Sequence, residues 1–137
     1  MRVVLDSNVL VAAFAARGIC CALLEYCVEN HEVVLCDEIL QEVERALVRK
    51  VGVPRAVTRD VVGYLRGEAE MVSPIQIDPR VCRDKSDLPV LGAAVAGGCA
   101  YLITGDADLL SVGEHEGVDI VSPRAFWAKM KQGKGRR

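Results

Sequence analysis

The chain has 137 residues, 51% of them apolar and 26% charged, which fits one folded domain and excludes wholesale disorder. Aromatic residues make up only 4%, so the core must be aliphatic, and base stacking on aromatic platforms is excluded as a main binding mode. The net charge of −2 hides a division: residues 1–119 hold 11 Lys/Arg against 19 Asp/Glu, whereas residues 120–137 hold 6 Lys/Arg and no acid, a basic end that suits a polyanion or a solvated terminus.

The N-terminus carries Arg2 and Asp6 around a short apolar run, which is too short and too charged for a signal peptide. No apolar stretch approaches the ~18 residues of a membrane span. We therefore expect a cytoplasmic protein with no membrane partner. Its six cysteines form no C-x-x-C pair, so they are expected to be free thiols packed as small hydrophobes rather than a zinc site.

In chain order, Val3-Val4-Leu5 reads as a buried strand that stops at Asp6. Residues 7–15 read as an apolar helix broken at Arg17-Gly18, and residues 19–29 as a second, amphipathic one. Val33-Val34-Leu35 is a second strand. Asp37 is expected to cap a helix running to about Lys50, which Gly52-Val53-Pro54 ends. Residues 55–68 are helical, and residues 72–79, with Pro74 and Pro79, an extended connector or edge segment. Ser86-Asp87-Leu88-Pro89 has the residues of a helix start, with Ser86 as cap, and the helix runs to Ala96. Tyr101-Leu102-Ile103 is a strand ending at Thr104-Gly105-Asp106; a short helical turn, a loop around His115, a strand over 119–121 and a helix from Pro123 to about Lys129 complete the chain.

Short apolar strands alternating with helices predict a three-layer α/β/α sandwich around a parallel sheet of four to five strands. The domain is expected to cover residues 1–128, with a disordered basic tail over 129–137.

Ligands of open parallel sheets bind beyond the C-terminal ends of the strands. Asp6 and Asp106 each follow a strand, Asp108 lies two residues on, Glu42 sits on the helix after the second strand, and Asp87 opens a helix three residues after Asp84. Carboxylates from distant parts of the chain thus gather at one sheet edge, where they repel unless a cation neutralises them. Oxygen ligands select Mg²⁺ or Mn²⁺ over zinc. Phosphate-binding glycine loops and a Ser-His-Asp set are absent from the sequence.

These residues carry a family resemblance. Val4-Leu5-Asp6-Ser7-Asn8-Val9-Leu10, Glu38-Ile39-Leu40-Gln41-Glu42-Val43, the stretch Cys82 to Leu91, and Leu102 to Leu110 resemble, in order, four motifs of PIN-domain nucleases. The likeness spans about residues 2–127 and is nearest to compact, VapC-like members that serve as toxin components of toxin–antitoxin systems. It implies a metal-dependent endoribonuclease in which Asp6, Glu42, Asp87 and Asp106, with Asp108, surround Mg²⁺ or Mn²⁺, and Asn8 and Asp84 support them. Glu38 competes with Glu42 for the second-motif role. The resemblance also implies an RNA substrate, a small antitoxin protein as partner and a homodimer. Arg17, Arg45, Arg49, Arg83 and Lys85 are candidates to contact flanking phosphates. The alternative is a non-catalytic metal- and RNA-binding or protein-interaction module on the same fold.

Overall fold

The computed structural model describes residues 1–135, with side chains through Gln132. The central strand β1 (Arg2–Leu5) is followed by helices α1 (Ser7–Ala15) and α2 (Ile19–Asn30). Strand β2 (Glu32–Leu35) leads into α3 (Asp37–Ala46), which continues as one π-helical turn, Leu47–Val51. Helix α4 (Arg55–Glu68), strand β3 (Glu70–Met71), a 3₁₀ turn (Lys85–Asp87) and α5 (Leu88–Ala96) come next. Strand β4 (Tyr101–Ile103), α6 (Ala107–Val112), β5 (Glu114–His115), β6 (Val118–Val121) and α7 (Pro123–Gly135) close the chain.

The sheet order is β3-β2-β1-β4-β6-β5. All neighbours are parallel except β5 and β6. Val3, Val4 and Leu5 are wholly buried although successive side chains point to opposite faces, so both faces of β1 are covered. That is why these strands are continuous aliphatic runs rather than alternating ones. Val4 pairs with Val34 on one side and Leu102 on the other.

Chain order explains the shape of the site. From β1 the chain winds outward through β2 to β3, then returns to β4 on the far side of β1 and proceeds outward to β6. Loops leaving β1 and β4 therefore diverge, opening a crevice beyond their C-terminal ends.

Several local expectations are corrected. The sheet has six strands, not four or five. The outer edge on one side is Glu70–Met71, just before the extended segment that was expected to supply it. On the other side the stretch around His115 is no loop but an antiparallel hairpin, turned by Glu116 and Gly117 with φ of 47° and 84°. Positive φ at both central residues matches the twist of a two-residue hairpin, but a Glu-Gly pair does not announce such a turn.

Caps also differ. Cys36, not Asp37, precedes the first residue of α3, and Asp37 instead pairs with Arg66 at 3.0 Å. Ser86 does not cap; it donates through its backbone N–H and hydroxyl to Asp84 Oδ1 at 2.9 and 2.8 Å. Helix α7 runs to Gly135 rather than stopping near Lys129, and of the basic end Arg136 and Arg137 lie outside the described residues. All six cysteines are free. Among the described residues no single helix is long and apolar enough to cross a membrane.

Candidate metal centre

Asp6 leaves β1 and becomes the N-cap of α1, because a carboxylate there accepts the free N–H groups of the first turn. It is only 3% exposed. Oδ1 accepts from the Ser7 N–H at 2.8 Å, and Oδ2 accepts from Asn8 Nδ2 at 3.1 Å and the Thr104 hydroxyl at 2.7 Å. Thr104 is wholly buried at the end of β4, and its Oγ1 accepts the Asp106 N–H at 2.9 Å. Asn8 Oδ1 in turn accepts the Gly105 N–H at 3.1 Å. A belt of hydrogen bonds thus ties the ends of the two central strands and aims two carboxylates at one space. Asp106 repeats the device, capping α6 through the Leu109 N–H at 2.9 Å.

Asp87 arrives on the 3₁₀ turn before α5 and is 8% exposed. The buried Cys82 thiol donates to its Oδ2 at 3.8 Å. Burial, then a hydrogen bond shared with Asp106 and the charges of Asp106, Asp6 and Asp84, push the Asp87 carboxyl up to about 8. Asp6 is also raised, by burial first and against the lowering effect of its own donors. Asp84, exposed on the rim, is lowered by its two bonds from Ser86.

Helix α3 forms the opposite wall. Glu38 and Glu42, four residues apart, both line a cleft of about 550 Å³ that also contains Asp6, Asn8, Asp84, Asp87 and Asp106. Glu42 is half exposed and pairs with Arg45 at 3.0 Å. The four carboxylates at the centre of the sequence argument, Asp6, Glu42, Asp87 and Asp106, therefore share one cavity. Glu38 shares it too, so the cleft does not discriminate between the two glutamates.

Asp108 lies elsewhere in the cluster. One oxygen each from Asp84, Asp87 and Asp108 lie within 4.8 Å of one another, a spacing that one cation can bridge. The cleft as a whole is oxygen-rich, and its two buried carboxylates, Asp6 and Asp87, have no cationic side chain bonded to them among the described residues. Such a set fits a hard divalent cation, since removing carboxylates from water beside one another is costly until a positive charge arrives.

None of the basic candidates Arg17, Arg45, Arg49, Arg83 and Lys85 lines the cleft, whereas Lys50, not among them, does. Lys85 is turned away, donating to the Pro79 carbonyl at 2.6 Å. Thr104 and Lys50 are the two site residues missed in sequence. Lys50 was detectable as a continuation of the four-residue spacing Glu38, Glu42, Ala46. Thr104 could only have been suspected as the strand-end hydroxyl two residues before Asp106.

Comparison with known proteins identifies the fold and the family. The PIN domain family model matches residues 2–108. The structure of VapBC2 from Rickettsia felis, bound to a DNA fragment from its promoter, superposes with a TM-score of 0.61 at 14% identity, covering 89% of this chain and 98% of that one. PAE2754 from Pyrobaculum aerophilum superposes with a TM-score of 0.66 at 15% identity, covering 96% and 90%. No curated protein matches the chain in sequence.

Proposed function

The chain belongs to the PIN-domain family, and on that premise we propose that it is a divalent-metal-dependent endoribonuclease acting as the toxin of a toxin–antitoxin pair. The observation that carries this reading is the convergence of buried Asp6 and Asp87 with Asp106 and Glu42 in one cleft. Such a group is unfavourable in the apo protein and becomes favourable around Mg²⁺ or Mn²⁺.

Asp6, Glu42, Asp87 and Asp106 would hold the cation, with Asp84 and Asp108 able to complete a set around Asp87. When bound, the cation supplies Lewis-acid activation of water and neutralises the phosphate. The chain does the rest. Asn8 and Thr104 fix the Asp6 carboxylate so that its oxygens need not reorganise on loading. A carboxylate not engaged with metal, Glu38, would orient the attacking water at the cleft wall. Attack by water rather than by the 2′-hydroxyl leaves 5′-phosphate and 3′-hydroxyl ends. Arg17 and Arg83, outside the cleft, are left to track phosphates further along the strand.

A small antitoxin protein, a homodimeric state and a cytoplasmic setting belong to the same reading. The antitoxin partner is supported by the likeness to VapBC2; the other two rest on the family resemblance alone.

The test is incubation of the purified chain with single-stranded and structured RNAs in Mn²⁺, in EDTA, and as Asp106→Asn. The amide oxygen of that variant still caps α6, so it folds. Cleavage to 5′-phosphate ends in Mn²⁺ only, lost in the variant, is expected. Cutting that persists in EDTA would overturn the metal mechanism, and metal binding without any cutting would leave the non-catalytic module.

A further inference from the structure

Helix α3 and its π-helical continuation separate two clefts of opposite character. The acidic face repeats every four residues, Glu38, Glu42, Ala46 and Lys50. A four-residue step along an α-helix overshoots a full turn by about 40°, so such a row would drift off the cleft. The wider i→i+5 turn over Leu47–Val51 works against that drift and returns Lys50 to the acidic cleft. On the neighbouring face a second groove of about 350 Å³ is lined by Gln41, Glu44, Arg45, Val48, Arg49 and Arg55. Three guanidinium groups there face one carboxylate.

The pairing within these clefts is informative. Among the described residues, Arg49, Arg55 and Lys50 have no ion-pair partner. Arg45 is held by Glu42 at 3.0 Å, a bond that spans the two clefts. Three cations with no ion pair among the described residues, beside a cleft proposed to cut a polyanion, are in position to receive phosphates. A cation loaded at Glu42 competes for the carboxylate that restrains Arg45 and frees that guanidinium for the groove.

We propose that the groove formed by Arg45, Arg49 and Arg55 is a phosphate subsite for the RNA strand flanking the scissile bond, with Lys50 guiding the strand from groove to cleft. The proposal rests on the endoribonuclease reading. The groove is within reach of the same strand: Arg49 follows Glu42 by seven residues, about 10 Å along a helix. Arginine suits the task because its planar fork donates two hydrogen bonds to one phosphate. The site binds backbone and no base edge, so it adds affinity without sequence preference.

The experiment measures binding of a labelled single-stranded RNA in EDTA across a salt series, and cleavage of the same RNA in Mn²⁺. Arg49→Gln/Arg55→Gln is compared with wild type and with Arg80→Gln/Arg124→Gln, which removes equal charge from positions lining neither cleft. The groove variant is expected to flatten the slope of log K against log salt by about 1.4, at about 0.7 for each of two phosphate contacts. It should also raise KM several-fold at unchanged kcat, with the control close to wild type. If wild type binds and cuts RNA but the groove variant keeps its affinity and slope, or merely equals the control, the subsite is overturned while the nuclease reading stands. If the groove variant loses binding only to polyglutamate, the groove serves an acidic protein and the proposal is equally overturned. If wild type neither binds nor cuts RNA, both fall together.

Discussion

Asp87 shows at the level of one residue why this cleft is poised for a cation. Its carboxyl is held at about 8 by burial and by neighbouring carboxylates, against an ordinary 3.8. The folded apo protein therefore binds a proton that the unfolded chain releases. Stability from this group is complete below about pH 4 and is lost as pH rises through about 8. In EDTA the melting temperature should fall between about pH 5 and pH 8.5, and Asp87→Asn should flatten that fall and raise the melting temperature at the upper end. A melting temperature that rises over this window in wild type would contradict the assignment. Thr104 is the second residue to test. Its hydroxyl is wholly buried between Asp6 and the Asp106 N–H, so Thr104→Val keeps the shape and removes both bonds. We expect a loss of about 1–3 kcal/mol in urea unfolding, together with reduced cleavage because Asp6 is no longer aimed.

At the scale of elements, α5 carries the third carboxylate to the site and is held there by close backbone packing. A Cβ added at Gly92 would lie 2.3 Å from the Ile75 carbonyl oxygen and 3.1 Å from Pro74 Cβ. The extended segment after β3 thus crosses α5 at a point only glycine allows. Gly92→Ala should gain about 1 kcal/mol of helix propensity yet destabilise the protein, since backbone cannot yield as a side chain can. Urea unfolding should show a net loss of roughly 1–3 kcal/mol, and a neutral or stabilising result would mean the crossing is loose. The elements that sequence placed well are those with strong periodicity, α3 and α4, and the buried strands β1, β2 and β4. It missed β3 and β5, each two residues long, because a strand so short has no period and exists only by pairing with a neighbour.

For the whole molecule the controlling fact is that carboxylates from five elements or turns meet across one sheet edge. A ligand that binds only the native state stabilises it by mass action. Mn²⁺ at about a hundred times its dissociation constant should add about 2.7 kcal/mol, on the order of 10 °C in melting temperature for a domain of this size. The gain should shrink in Asp87→Asn and vanish in EDTA. Stabilisation by Zn²⁺ with no response to Mn²⁺ would point to Cys82 and against the oxygen set.

Sequence by itself determined the fold class and which acids stand at the sheet edge. Aliphatic runs too short to span anything must be strands covered on both faces, and an acid placed straight after such a run must emerge at a sheet edge. Asp6 and Asp106 were legible for that reason. What tertiary structure alone decided is which groups share a space. Asp108 groups with Asp84 and Asp87, Glu38 enters the cleft beside Glu42, and Lys50 joins them there. Thr104 links the Asp6 carboxylate to the backbone N–H of Asp106, far away in the chain. Spacing along the chain specifies the face of an element, but distance between elements follows from strand order and from packing contacts such as that at Gly92, which no local pattern encodes.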